Sequence, residues 1–424
     1  MFLRLARHSA WLLMARLGTQ IGMALFTILL ARRLGSAGFG EYAFIAALLV
    51  IGNALTTFGT DMHLIRQIAA GNDLSMLPAA LTLQIVISCL FIAAVLLAAP
   101  FFTSLTPDGM AALRVYSFSL FPLAFFTVFT TALRGKQQME AYTLLNLALA
   151  AMQVMAALII FIGRGDLVTL AWLLVLVQAI AAWLAGIFCK VRITNFFQNW
   201  NFSVQNVFLL VQASLPMALL GGLGILYQRL TLMLLPFLAG AAQTGIFSVA
   251  ARSVEAAKLG HIAMFTAIYP MMSASKEQGA NWLKSFRLPW GILIAAATAA
   301  GLALSFLARP LVTLLFGVEY ADSVPVLRIL AWTLIPYTLN TFLSLALLAE
   351  GRETIITGAS ITSLCGLAVT TLWGGWVAGA IGAAWAVLVI ESVQSVILML
   401  AGSRVGLSLT SGGANEFSDL SRKV

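Results

Sequence analysis

Four ionisable residues recur at every third position: Arg252, Glu255, Lys258 and His261. Neighbours three apart touch on a helix. Each step of three turns by about 300° at 3.6 residues per turn, so the row winds slowly around the axis as an oblique stripe. Glu255 lies between two cations and can neutralise only one. One net positive charge remains, with His261 adding to it when protonated. The surrounding stretch is apolar and long enough to span a bilayer. A charge at mid-bilayer costs at least about 2.5–3.5 kcal/mol, so such a row faces a bundle interior or a wet cavity rather than lipid. The chemistry it offers is the holding of an anion at low dielectric, with the arginine fork able to grip two oxygens of one group. The competing reading is a self-satisfied Arg252–Glu255–Lys258 ladder that fixes helix packing.

Other intramembrane charges are few. Arg16 and Arg229 each lie within about two turns of a helix end, where they can line a cavity or snorkel to the interface. Asp61, His63 and Arg66 close a span; Asp61 can relay a proton or cation, or cap the helix and pair with Arg66. Glu391 sits mid-helix with no cation three or four residues away, which predicts a buried partner cation from another helix. Glu255 and Glu391 are the deepest carboxylates and the other coupling candidates. Gln153, Gln178, Trp172, Trp183, Tyr227, Gln228, Tyr337 and Asn340 could line a polar cavity, although belt or packing roles fit each better. Cys89, Cys189 and Cys365 are too far apart for a metal motif and read as buried small hydrophobes. No phosphate-binding GxxxxGK[ST] loop occurs, so this chain does not hydrolyse ATP, and no cofactor or metal is expected.

These residues must be positioned by membrane helices. The chain has 424 residues, 61% hydrophobic and 9% charged, with mean hydropathy +0.99. Soluble proteins carry about 25% charged residues, so a soluble enzyme is excluded. Apolar runs of about 20 residues recur, the length of a spanning helix; barrel strands would alternate instead. The runs predict an all-α polytopic membrane protein with twelve spans: 10–32, 41–64, 76–100, 110–133, 141–162, 167–189, 207–234, 243–270, 289–308, 326–349, 354–376 and 380–402. With the N-terminus inside, fourteen Lys and Arg fall on the inner side and six on the outer, with four inside spans. That bias puts both termini in the cytoplasm; Arg32-Arg33 is the one pair against it. The net charge of +9 is thus a topology signal, and nucleic acid is not an expected partner. The loop Ser273 to Leu288, with Lys276, Lys284, Arg287, Trp282 and Phe286, reads as an amphipathic segment attracted to anionic headgroups.

The chain also looks duplicated. Gly35, Ala37, Gly40, Tyr42 and Ala46 match Gly240, Ala242, Gly245, Phe247 and Ala251 at an offset of 205. Arg114, Pro122, Ala132 and Leu133 match Arg328, Pro336, Ala346 and Leu347 at 214, and Gly135 is paired with Gly351 at 216. Six spans separate the copies, so both halves share one orientation, as in transporters built from parallel repeats. The expected lobes are 1–200 and 201–424, with six helices each. Pro122 and Pro336 should kink spans 4 and 10 at matched places.

The run LLARRLGSAGFGEYAFIAALL (Leu29 to Leu49), followed by FGTDMHLIRQIA (Phe58 to Ala69), strongly resembles the opening of Wzx-type polysaccharide biosynthesis proteins. Those are oligosaccharide flippases of the multidrug/oligosaccharidyl-lipid/polysaccharide (MOP) exporter superfamily. AGAAQTGIFSVAARSVEAA (Ala239 to Ala257) and LRGKQQMEAYTLLN (Leu133 to Asn146) resemble two further loops of that family. The resemblance implies two lobes around a central cavity in the bacterial inner membrane. It implies transport of a polyprenyl-pyrophosphate-linked oligosaccharide from the cytoplasmic to the outer leaflet, for O-antigen, capsule or exopolysaccharide. Under it, Arg252, Lys258, Arg16 and Arg229 are candidates to hold the pyrophosphate, and Glu255, Asp61 and Glu391 to couple H+ or Na+. Related lipid II flippases line their cavity with arginines on helices 1 and 8, the helices of Arg16 and Arg252. A polysaccharide polymerase and glycosyltransferases are implied partners. The alternative is a small-molecule multidrug antiporter of the same superfamily, whose site should be acidic; here the intramembrane balance is cationic. An enzyme would need converging acid–base groups at the outer face, and no outer loop supplies them.

Overall fold

The structure is a computed structural model. It describes residues 2–404 except 72, 195, 197–199, 201–202 and 277–286, and side chains outside 2–10, 259–287 and 404. The roles expected of His261 and of Lys276, Lys284 and Arg287 fall outside that description.

The described residues form helices α1 (Phe2–Thr57), α2 (Thr60–Gly71), α3 (Leu77–Ala98), α4 (Pro107–Ser117), α5 (Leu120–Gly135), α6 (Met139–Gly163), α7 (Leu167–Arg192), α8 (Val204–Lys276), α9 (Arg287–Leu315), α10 (Ser323–Ala331), α11 (Leu334–Ala349) and α12 (Glu353–Arg404), and no strand. Nine stretches among them are long and apolar enough to cross a membrane. Three are of double length: Trp11–Thr57, Val204–Lys258 and Glu353–Ser403. Each of these is broken internally, at Gly35 (φ 69°), at Gly240 (φ 86°) and at Ala378–Gly379. Counted as pairs, they bring the total to the twelve expected spans. The chain is therefore an all-α polytopic membrane protein.

The breaks carry the duplication into the backbone. Gly35 and Gly240 adopt nearly the same left-handed conformation, ψ 178° and 172°, which a side chain would oppose. Pro122 lacks the N–H that would bond the carbonyl of Phe118, and its ring crowds that carbonyl. The helix accordingly breaks between α4 and α5, and Phe121 N–H donates back to Phe118 O. Pro336 does the same to Trp332: α10 ends, α11 begins, and Ile335 N–H donates to Trp332 O. The kinks expected of spans 4 and 10 are thus full breaks, matched at the offset of 214.

One pairing needs correction. Gln138 N–H bonds Leu133 O and Gln137 N–H bonds Arg134 O, while Arg352 N–H bonds Leu347 O and Gly351 N–H bonds Leu348 O. These helix-terminating patterns coincide at 214, so Gly351 (φ 71°) corresponds to Gln137 (φ 59°) and not to Gly135. Gly135 serves close packing instead, since a Cβ there would come within 2.7 Å of Ile68. The expected span 41–64 also stops early. Phe58 (φ 48°) and Gly59 (φ 66°) are both left-handed, and α2 starts afresh at Thr60. A Cβ on Gly59 would stand 2.8 Å from the backbone nitrogen of Ala218. Of the cysteines only Cys189 is buried; Cys89 and Cys365 are exposed on apolar helices.

Contacts group the chain into two compact units, residues 1–249 with 312–321, and 250–311 with 322–424. The first is cored by small and aliphatic residues, among them Ala132, Leu133, Ala141, Ala181, Ala185, Leu64 and Leu77. Small side chains let helices approach closely, which drives packing where lipid cancels the hydrophobic effect between helices. A smaller cluster in the second holds Leu343, Leu347, Ala359 and Leu398. The two halves of α12 meet at glycines: a Cβ on Gly374 would lie 2.7 Å from Gly382 O, and one on Gly382 would overlap Gly374 O.

Arg32, half of the pair that opposes the charge bias, has a structural use in the first unit. Its Nε donates to Leu315 O at 2.7 Å and its Nη2 to Leu314 O. These carbonyls end α9, where orphan acceptors and the dipole favour a cation. Tyr320 hydroxyl donates to Ala31 O at 3.0 Å.

Two loop carboxylates contribute to the acid response. Ser75 N–H and hydroxyl both donate to Asp73, and Thr169 hydroxyl and N–H to Asp166 at the N-terminus of α7; both carboxyls are held below the ordinary range. Depressed carboxylate pKa values contribute stability above the unfolded-state pKa of about 4, and it is lost as pH falls through the folded value. Thermal unfolding in detergent should show that acid-side loss diminish in Asp166→Ala. Gly382→Ala should cost about 1–3 kcal/mol through overpacking, whereas Gly358→Ala, with open space around it, should not lower the melting temperature.

Candidate functional site

The expected site residues divide between the units. Arg16, Asp61 and Arg229 belong to the first, and Arg252, Glu255, Lys258 and Glu391 to the second. Arg16 is exposed on the first half of α1, among exposed Leu13 and Leu17. Arg229 is half-buried on α8. Asp61 is half-buried in the first turn of α2, where the helix dipole favours a carboxylate; it makes no ion pair with Arg66 among the described residues.

In the second unit the stripe resolves into two different arrangements. Arg252 Nη1 bonds Glu255 Oε2 at 2.9 Å. Lys258 instead stands over the ring of Tyr337, its Nζ 4.2 Å from the centroid. A cation over an aromatic face is held by the ring quadrupole without being neutralised. Among the described residues Arg252 pairs with the Glu255 carboxylate, whereas Lys258 rests on the Tyr337 ring and makes no ion pair. Proline-broken α11 makes this possible, because it begins afresh at Leu334 and presents Tyr337 and Asn340 on one face.

Asn340 serves the next group. Its Nδ2 donates to Glu391 Oε2 at 2.8 Å and to Glu391 O at 3.0 Å, and its Oδ1 accepts from Ser395 Oγ at 2.7 Å. Glu391 is buried, 7% exposed. The partner expected for it was a cation; the partner the structure supplies is a neutral amide. A carboxylate served by an amide and a hydroxyl-anchored clamp keeps oxygen capacity for a proton or a metal cation.

The cluster occurs in one copy of the repeat only. At the offset of 214, Tyr337, Asn340, Glu391 and Ser395 correspond to Leu123, Phe126, Val177 and Ala181, and the last three are buried and apolar. The shared backbone is thus packed with hydrocarbon in the first copy and with polar groups in the second.

Other cavity candidates are dispersed. Trp172 and Trp183 are largely exposed, as interface-belt residues would be. Gln178 is buried. Sequence reasoning missed Glu41, which is buried at 5% exposure and accepts from Thr106 N–H at 2.6 Å and from its hydroxyl at 3.0 Å. Gly109 leaves room for it, since a Cβ there would lie 2.7 Å from the carboxylate. The signal available was a lone carboxylate at the head of an apolar run.

A sequence profile of the family described as "Polysaccharide biosynthesis protein" matches residues 5–276. No curated protein matches the chain significantly in sequence. Solved structures share the fold at low identity. The lipid II flippase MurJ in an inward closed conformation aligns with a TM-score of 0.76 at 12% identity, over 92% of this chain and 86% of that one. A multidrug resistance MATE family transporter of the MOP superfamily, inward-facing, gives 0.74 at 14%, over 93% and 96%. A MOP superfamily transporter from Pyrococcus furiosus Vc1, described as having a binding pocket of reverse polarity, gives 0.65 at 16%, over 93% and 95%.

A buried carboxylate stripped of its donor is left with its desolvation cost, whereas removing both partners leaves nothing unpaired. Asn340→Leu should therefore destabilise by about 1–3 kcal/mol, and Asn340→Leu with Glu391→Leu should recover most of that loss in thermal unfolding of the purified protein.

Proposed function

The chain belongs to the polysaccharide biosynthesis protein family, and from that membership and the charges of its second unit we propose that it is a lipid-linked oligosaccharide flippase. The cargo is a polyprenyl-pyrophosphate-linked oligosaccharide, carried from the cytoplasmic to the outer leaflet of a bacterial inner membrane for cell-surface polysaccharide. The observation that carries this reading is Lys258. It is a cation within a spanning helix, seated on Tyr337 and in no ion pair among the described residues. A pyrophosphate brings the compensating charge. Arg252 follows as the second ligand: its bond to Glu255 leaves guanidinium N–H groups for phosphate oxygens. Arg16 and Arg229, in the first unit, are further candidate ligands for the pyrophosphate.

The mechanism is alternating access between two six-helix lobes, 1–200 and 201–424, related by the duplication. The head group enters the cationic site from the cytoplasmic leaflet while the polyprenyl tail stays in lipid. Glu391, with its Asn340–Ser395 clamp, is the favoured coupling residue for H+ or Na+, ahead of Asp61 and Glu255. No covalent chemistry is required of the protein.

Charge-assisted contacts contribute about 1.5–3 kcal/mol each, so Arg252→Gln with Lys258→Gln should reduce glycan export by more than about tenfold at normal protein level. Unchanged export would sink the assignment, and resistance to cationic dyes on overexpression would point to the multidrug antiporter instead.

A further inference from the structure

The two copies of the glycine-rich motif meet each other. A Cβ placed on Gly40 would overlap the carbonyl oxygen of Ala241 and lie 2.8 Å from the backbone nitrogen of Gly245. A Cβ placed on Gly245 would overlap the carbonyl oxygen of Ser36 and lie 3.1 Å from the nitrogen of Gly40. Ser36 and Ala241 are themselves equivalent at the offset of 205, as are Gly40 and Gly245. The contact is therefore reciprocal: each copy offers its glycine to the other's carbonyl, as at an isologous two-fold interface. All four residues lie in the first unit, and both glycines are buried.

The setting is held from several sides. Arg32 grips Leu314 O and Leu315 O, Tyr320 bonds Ala31 O, and Glu41, next to Gly40, bonds Thr106. The Tyr320 ring also meets Phe39 edge-on at 6.5 Å. These contacts fall at the end of the bundle that the lysine and arginine bias places outside. Backbone here touches backbone with no side chain between, and a contact so close has no slack for a methyl group.

We propose that Gly40 and Gly245 form a reciprocal backbone seal at the outer end of the helix bundle, and that side-chain size at these two positions sets the balance between its closed and open states. The inference goes beyond the flippase reading: it rests on glycine geometry and holds whatever the cargo. By the two-fold relation, a methyl group at either position inserts an equivalent wedge. Gly221, on α8 with nothing within 4 Å, is the control position.

The test needs no substrate. Cys89, Cys189 and Cys365 are replaced, and Ser248→Cys is introduced one turn beyond Gly245 on the same face of α8, where Ser248 is 2% exposed. A membrane-impermeant maleimide is applied to intact cells. Labelling should be slow in the parent and in Gly221→Ala. It should be about tenfold faster in Gly40→Ala and in Gly245→Ala alike, as when a minor open state becomes a major one. Unchanged labelling in either variant would overturn the seal. Should the alanine variants fail to accumulate, Ser36→Cys with Ala241→Cys should cross-link from outside with a short bifunctional thiol reagent in the resting protein, and absence of that cross-link would overturn it equally. Because no arm reads glycan export, failure here is distinct from failure of the flippase assignment.

Discussion

A polar group inside a bilayer has no water to fall back on, so each must find its partner within the protein. The described structure is largely a record of how that demand is met. Where Pro122 and Pro336 remove a backbone donor, the helices break and the freed carbonyls of Phe118 and Trp332 accept from the N–H three residues on. Where α9 ends, Arg32 covers its last carbonyls. Glu391 takes the amide of Asn340, Arg252 takes Glu255, and Lys258 takes the face of Tyr337. The last of these seats a cation on a neutral ring with no ion pair among the described residues, and the functional reading grows from it.

Duplication supplies the frame on which this happens. The two copies share their left-handed glycines, their proline breaks and their helix-ending hydrogen bonds, while their side chains diverge. Leu123, Phe126, Val177 and Ala181 pack the first copy; Tyr337, Asn340, Glu391 and Ser395 occupy the equivalent places in the second. A two-fold backbone thus carries a one-sided polar site. Under the proposed alternating-access mechanism, that asymmetry would confine the ion-coupling candidate Glu391 to one of two related lobes. The reciprocal contact of Gly40 and Gly245 shows the opposite use of the same symmetry, with both copies contributing equally.

Much of the fold was legible in the chain because it is local. Apolar runs of spanning length, the matched prolines and the repeated Gly35/Gly240 motif each act through neighbours a few residues away. The expected spans were recovered in number, with the kinks in the right places. What escaped was non-local or lay in backbone geometry. Nothing in the neighbourhood of Glu391 announces Asn340, 51 residues away in sequence, and periodicity within one helix suggests a cation. The register of Gly351 depends on hydrogen bonds that Gln137 can also make in a left-handed conformation. The stop at Phe58–Gly59 has no proline to mark it. Glu41 escaped because its partner Thr106 lies 65 residues away in sequence.

The central claim is that the cation seated on Tyr337 in the second unit exists for a lipid-linked pyrophosphate. Its most direct test is lipid analysis of the source organism with this gene deleted. Polyprenyl-pyrophosphate-linked oligosaccharide and its leaflet would be quantified alongside surface polysaccharide. Complete repeat units should accumulate on the cytoplasmic leaflet while surface glycan is lost. Unchanged lipid-linked pools with intact surface glycan, in a strain carrying no second flippase, would contradict the claim.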